Sequence, residues 1–227
     1  MAMFRHMDVT ANNLANSATT GFQAERAMFT DYITESGKED VAFTQDIATY
    51  HDLRQGSLQS TGNDFDVAIV GDGYFAIATP AGERYTRAGN FATNREGTLV
   101  TVDGYPVLDD GGQPIQFEEL DRDPVIGENG LITVNGGEER AILGIFEFNN
   151  RQELRHVEGT MYEASAPGDI AVASRVVHGA LETSNVRAVN ELVQLTELSR
   201  STSNTAKYIE TMYDLQRKAS NTWTKQD

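Results

Sequence analysis

The segment Gly71-Asp-Gly73-Tyr-Phe-Ala76 has the residue types of a phosphate-cradling loop, two glycines that let backbone N–H groups approach an anion and then a small third residue. That chemistry requires the last positions to open a helix whose N-terminus receives the phosphate. The residues that follow instead alternate as a strand as far as Pro80, so the glycines are read as a hairpin turn. Asp103, Asp109 and Asp110 offer the oxygen ligands that calcium takes, but their spacing fits no calcium loop and no glutamate closes one; they are expected to be solvated turn carboxylates. His6, His51, His156 and His178 are scattered without an i, i+4 pair of the metalloprotease type, and no Gly-x-Ser-x-Gly elbow occurs. With no cysteine, thiol catalysis, iron–sulfur clusters and cysteine-ligated zinc are excluded. The expectation is a protein that is not an enzyme, with no catalytic residue, metal or cofactor.

These turns must be positioned by a chain of 227 residues carrying 18 Lys+Arg against 34 Asp+Glu, a formal charge of −16. The length allows one large domain or two modest ones. The charge repels phosphate backbones, so nucleic acid is not an expected partner. Residues 1–35 hold −2, residues 36–180 hold −14 and residues 181–227 are neutral. The ends can therefore pack against one another or against copies without strong repulsion. The start, Met1-Ala-Met-Phe-Arg-His-Met-Asp8, has no uninterrupted apolar stretch, so no cleaved signal peptide is expected. The longest apolar runs, Val67–Val70 and Ala141–Phe146, fall far short of the roughly 20 residues that cross a bilayer.

From Ser184 to Ala219 there is neither proline nor glycine, and Val186, Val189, Leu192, Val193, Leu195 and Leu198 recur at helical spacing. Ser184 or Asn185 is the expected N-cap. The pattern weakens through Ser199–Thr205 and resumes with Tyr208, Ile209, Met212, Leu215 and Ala219, which predicts one long amphipathic helix or two joined at a polar waist. A helix of ~35 residues would extend ~50 Å and needs a partner along its length. The middle reads as strands: 65–70, 74–78, 98–102 and 141–148, bounded by glycine clusters at 71–73, 80–82, 95–97, 103–104, 109–112 and 135–137 that suit hairpin turns. The predicted fold class is α+β, a central antiparallel β domain flanked by N- and C-terminal helices that come together in a helical, coiled-coil-like end domain. The expected organisation is an N-terminal helix and motif segment over 1–35, a β-rich domain over 36–180 and a long helix over 181–227 that packs with the N-terminal segment.

Ala11-Asn-Asn-Leu-Ala-Asn16, followed by Thr19-Thr-Gly-Phe22, reads locally as a helix end. Asn12, Asn13 and Asn16 bring amides that cap helix ends and bond nearby backbone, Leu14 and Phe22 supply apolar anchors, and Gly21 allows the turn out. The string also resembles the N-terminal motif of the flagellar rod, hook and hook-associated proteins. Further stretches agree in order along the chain: Gly56–Asn63, Asp66–Phe75, Arg84–Phe91 with Gly97–Thr101 and Gly104–Val107, and Gly179–Val186. The likeness spans nearly the whole chain. The modest length and the run Tyr50-His-Asp-Leu-Arg54 are most similar to a proximal-rod member, with the longer distal-rod member or another hook-family subunit as the alternative. Two departures stand out. Family members usually carry additional helix before the position of Met1, and their aromatic and acidic pair after the helix arginine is here Thr202 and Ser203, after Arg200.

The resemblance implies a structural subunit of the flagellar basal-body rod in the periplasm, exported by the flagellar type III apparatus without a cleaved signal. Its partners would be other rod proteins and copies of itself, with no small-molecule substrate and no membrane insertion. It implies an assembly interface at Asn12, Asn13, Leu14, Ala15, Asn16, Gly21, Phe22, Leu181, Asn185, Val186, Val189, Leu192, Leu195, Ile209 and Met212. The asparagines would either end a local helix or bond the backbone of a neighbouring subunit. Two other classes explain less. A secreted carbohydrate-binding or enzymatic β domain would want an aromatic platform or converging carboxylates, yet Trp223, the one tryptophan, lies in the tail. A coiled-coil adaptor leaves the strand-rich middle without a role.

Overall fold

The structure, a computed structural model, describes the backbone of residues 2–36 and 39–223 and the side chains of residues 3–28 and 48–218. The side chains of Ala219 and Trp223, which figured in the expectations above, lie outside the described residues. The chain forms two compact units: Met1–Ala15, Glu25–Thr49 and Arg187–Asp227 make a helical unit, and Asn16–Ala24 with Tyr50–Val186 make a β unit.

The helical unit begins with α1 (Ala2–Ala15), whose buried stripe is Val9, Thr10 and Asn13. Positions i, i+1 and i+4 share one helix face. Strands β1 (Glu25–Ser36) and β2 (Glu39–His51) pair as a two-stranded sheet, which the sequence reading did not anticipate. Helix α2 (Ala188–Trp223) runs for 36 residues without a break through Ser199–Thr205, so the single-helix reading holds. It starts later than expected. The Arg187 carbonyl accepts the Asn190 and Glu191 N–H groups at 2.9 and 3.2 Å, while both expected caps are committed elsewhere. The Ser184 hydroxyl accepts the Val186 N–H at 3.2 Å, and the Asn185 amide bonds other segments of the chain. Helix α1 packs along α2, where the Thr202 hydroxyl meets the Met3 sulfur at 3.0 Å and Leu195 and Leu198 are half-buried.

In the β unit, frequent glycine and aspartate keep the strands short. The first four are β3 (Leu58–Ser60), β4 (Val67–Val70), β5 (Tyr74–Thr79) and β6 (Gly82–Thr86). Strand β5 sits inside a six-stranded antiparallel sheet in the order 155–158, 161–163, β6, β5, 145–147, 169–170. Its side chains alternate between two apolar clusters. Phe75 and Ile77 join Val67, Ile69, Leu99 and Ile132 on one side, and Tyr74 and Ala76 join Tyr85, Leu154 and Tyr162 on the other. A strand covered on both faces is continuously apolar, as β5 is. Strand β4 pairs instead with 175–178, and β3 with 180–182, each antiparallel.

That topology corrects one expectation. Gly71-Asp-Gly73 is not a hairpin turn, because β4 and β5 belong to different sheets. The loop is held by partners from far along the chain: the Gly71 and Gly73 carbonyls accept from Arg87, and the Gly73 N–H donates to the Ser174 hydroxyl at 3.1 Å. The clusters at 80–82, 95–97 and 135–137 do connect paired strands. Asp109 serves its own turn, its Oδ1 accepting the N–H groups of Gly111 and Gln113 at 2.9 and 2.7 Å. The fold class is α+β, with an N-terminal helix, an antiparallel strand-rich middle and a long C-terminal helix.

Candidate assembly interface

The residues of the N-terminal motif fall in both units. In the helical unit, Asn13 is fully buried and its carboxamide is used within the chain: Nδ2 donates to the Glu25 carbonyl at 2.8 Å and Oδ1 accepts the Glu25 N–H at 2.9 Å. This reciprocal pair ties α1 to the root of β1. Asn12 and Leu14 are half-buried and Ala15 is exposed. The buried Glu191 in the first turn of α2 accepts from Arg26 of β1 at 2.9 Å. A carboxylate there also complements the positive end of the helix.

In the β unit, Asn16 and Thr19 form the turn that leaves α1, with the Thr19 N–H on the Asn16 carbonyl at 3.1 Å and its hydroxyl on Asn16 Oδ1 at 3.2 Å. Gly21 follows with φ +69°, and a Cβ there would stand 2.4 Å from the Ala88 nitrogen. Phe22, Ala24 and Val186 make a small apolar cluster. Asn185 joins three segments: Oδ1 accepts the Ala24 N–H at 2.8 Å, and Nδ2 donates to the carbonyls of Asp52 at 2.7 Å and Arg54 at 2.8 Å. Leu181 is half-buried in strand 180–182, paired with Gln59.

Next to this cluster lies an ion pair that the sequence reading did not single out. Arg87 and Glu182 have side chains only 3 % and 2 % exposed, with Nη2 to Oε2 at 2.8 Å and Nε to Oε2 at 2.9 Å. The other carboxylate oxygen accepts the Gly56 N–H at 3.0 Å, and the guanidinium lies 5.6 Å from the centre of the Tyr74 ring. Burial pushes the Tyr74 phenol up, against the opposing pull of Arg87. Gly56 and Gly89 are required by close backbone approach, since a Cβ on either would fall 1.8 Å from a carbonyl oxygen, of Thr183 and Val67 respectively. A lone charged residue beside glycine, as in Arg87-Ala-Gly89, was the available signal; its partner, 95 residues on, had none.

Along α2 the candidate residues are presented rather than buried. Val189 is 74 % exposed, Leu192 54 %, Ile209 49 % and Met212 43 %, and Val193, Tyr208, Tyr213 and Leu215 are exposed beside them; Leu195 is half-buried. Thr196, Thr202, Thr205 and Thr211 turn their hydroxyls onto the carbonyls four residues back, at 2.8 to 2.9 Å. The apolar side chains of α2 thus stand uncovered by the described residues in two groups, Val189, Leu192 and Val193 near its start and Tyr208, Ile209, Met212, Tyr213 and Leu215 further on, on a different side of the helix. Contiguous exposed apolar surface is a common mark of interaction sites.

Three family descriptions match the chain in order. Residues 2–23 match "Flagella basal body rod protein", residues 68–134 match "Flagellar hook protein FlgE/F/G D1 domain", and residues 177–222 match "Flagellar basal body rod FlgEFG protein C-terminal". The chain belongs to the flagellar basal-body rod protein family, and it is a structural subunit of the flagellar basal body. Among its relatives, the flagellar basal-body rod protein FlgF of Mesorhizobium japonicum is 38 % identical, over 91 % of this chain and 86 % of the relative. FlgF of Caulobacter vibrioides is 35 % identical, over 96 % and 92 %. The rod protein FlgG of Bacillus subtilis is 31 % identical, over 90 % and 88 %.

Proposed function

We propose that the chain is the FlgF-type, proximal-rod subunit and that it assembles with copies of itself and with other rod proteins through α1 and α2. The observation that carries this reading is the exposed apolar side chains along α2, Val189, Leu192 and Val193 and then Tyr208 to Leu215. A 36-residue helix spans about 54 Å, and the 14 residues of α1 span about 21 Å. Neighbouring subunits would cover the rest, through head-to-tail contacts that propagate a helix rather than close a dimer. The greater identity to relatives named FlgF than to that named FlgG favours the proximal position. The acidic β unit would keep unassembled subunits soluble.

In this reading the subunit reaches a periplasmic rod through the flagellar type III export apparatus and does no chemistry there. A short terminal helix that is marginal alone passes a narrow channel unfolded and folds on docking. Complementation tests the assignment. In a strain lacking the gene, the wild-type copy restores rods and swimming, while copies carrying Leu192→Asp or Ile209→Asp do not, although the purified variants melt as the wild type does. Normal swimming with either charge in place overturns the interface. Labelled subunits imaged in isolated basal bodies should lie at the proximal end of the rod; label at the distal end selects the FlgG-type alternative.

A further inference from the structure

The β unit is closed by its last residues. Glu182 accepts from Arg87 and from the Gly56 N–H through its carboxylate, and from the Gly21 N–H through its carbonyl at 2.8 Å. Asn185 bonds Ala24, Asp52 and Arg54. Stretches that are remote in sequence, 21–24, 52–56 and the loop at Arg87, thus meet through residues 182–186. Until that segment is in place Arg87 keeps the carbonyls of Gly71 and Gly73 but has no counter-charge, in an interior where an unpaired cation is strongly disfavoured. The fit is equally demanding in space, because residue 56 can lie against Thr183 only as glycine.

We propose that residues 182–186 are a latch: residues 21–24 and 52–56 seat on the β unit only together with this segment, and the three open and close as one body. A chain that ends before residue 182 would then hold its N-terminal motif and the 52–56 segment loose, so the β unit registers that the chain is complete. This goes beyond the assembly reading and does not rest on it. Independent contacts would behave differently. Loss of one hydrogen bond would then loosen only the group that lost its partner.

Residue-resolved amide exchange on the full-length monomer separates the two cases. Asn185→Ala removes the acceptor of the Ala24 N–H, yet it should also speed exchange about tenfold at Gly21 and Gly56, whose N–H groups are bonded to Glu182. Glu182→Gln should speed exchange at Ala24, bonded to Asn185, to a similar degree. The double variant Arg87→Met with Glu182→Met leaves no charge unpaired and should return Ala24 to within about threefold of wild type. Acceleration confined to the N–H whose own acceptor was removed overturns the latch. So does an equal acceleration throughout β5, which would mark general loss of stability. Asn185→Ala strands no charge and carries the test even where Glu182→Gln fails to fold.

Discussion

Strand β5 and the second half of α2 are built from similar residues and end in opposite surroundings. Tyr74, Phe75, Ala76 and Ile77 are fully buried, whereas Tyr208, Ile209, Met212, Tyr213 and Leu215 stand in solvent. Hydrophobicity does not distinguish them; what the chain does next does. β5 is bounded by a loop at 71–73 and a turn at 80–82, and the chain comes back to lay β6 and 145–147 on its edges. α2 runs 36 residues with no glycine or proline to turn it. An apolar surface that the described residues of its own chain leave uncovered is open to another chain.

The largest effect should come from placing a charge in the β unit. Ile77→Asp sets an unpaired carboxylate in the core, at a cost of several kcal/mol, and should abolish the cooperative melt of the β unit. Arg87→Met leaves Glu182 buried without its cation and should cost about 3–5 kcal/mol in urea unfolding. Asn13→Ala deprives both backbone groups of Glu25 of their partner, and about 1–3 kcal/mol should be lost from the helical unit, read as a lower melting temperature of the monomer. On the exposed side of the comparison, Leu192→Asp should change monomer stability by less than about 0.5 kcal/mol while blocking assembly. A monomer destabilised as much by Leu192→Asp as by Ile77→Asp would erase the contrast between the two regions.

The smallest effect is set by pH. Burial opposes ionisation of Asp121, but the Arg140 guanidinium and the Glu118 N–H hold its carboxyl below the usual carboxylate range. The folded pKa is lower than the unfolded one, so this stabilisation is complete above about pH 4 and fades as pH falls through the folded value. Arg140→Met should flatten that part of the acid dependence, checked by melts between neutral pH and pH 3.

The sequence showed what is local. The absence of glycine and proline marked α2, expected over 184–219 and found at Ala188–Trp223, and the apolar runs marked β4, β5 and the strands near 99 and 145. Pairing was not legible. Gly71-Asp-Gly73 looks like a hairpin turn because turn chemistry is local, while the strands that pair with β4 and β5 lie at 175–178 and 82–86. β1 and β2 escaped notice because Thr, Asp and Glu interrupt their apolar residues, leaving only a weak alternation in Met28-Phe-Thr-Asp-Tyr-Ile-Thr34. Asn185 stood out as a motif residue, but its role was misplaced. An amide that can cap a helix can equally bond three distant backbone groups, and only the folded chain decides.

The threonines of α2 give the exposed helix a further property. Because Thr196, Thr205 and Thr211 bond their hydroxyls to the preceding turn, each offers a docking chain its methyl group and little unmet demand for a directional bond. A neighbour docked as proposed would need only to match the shape of these methyl groups. In the proposed assembly, a small slip along the helix axis would break no hydrogen bond at these three positions, so there the contact would behave more like a bearing than a keyed joint.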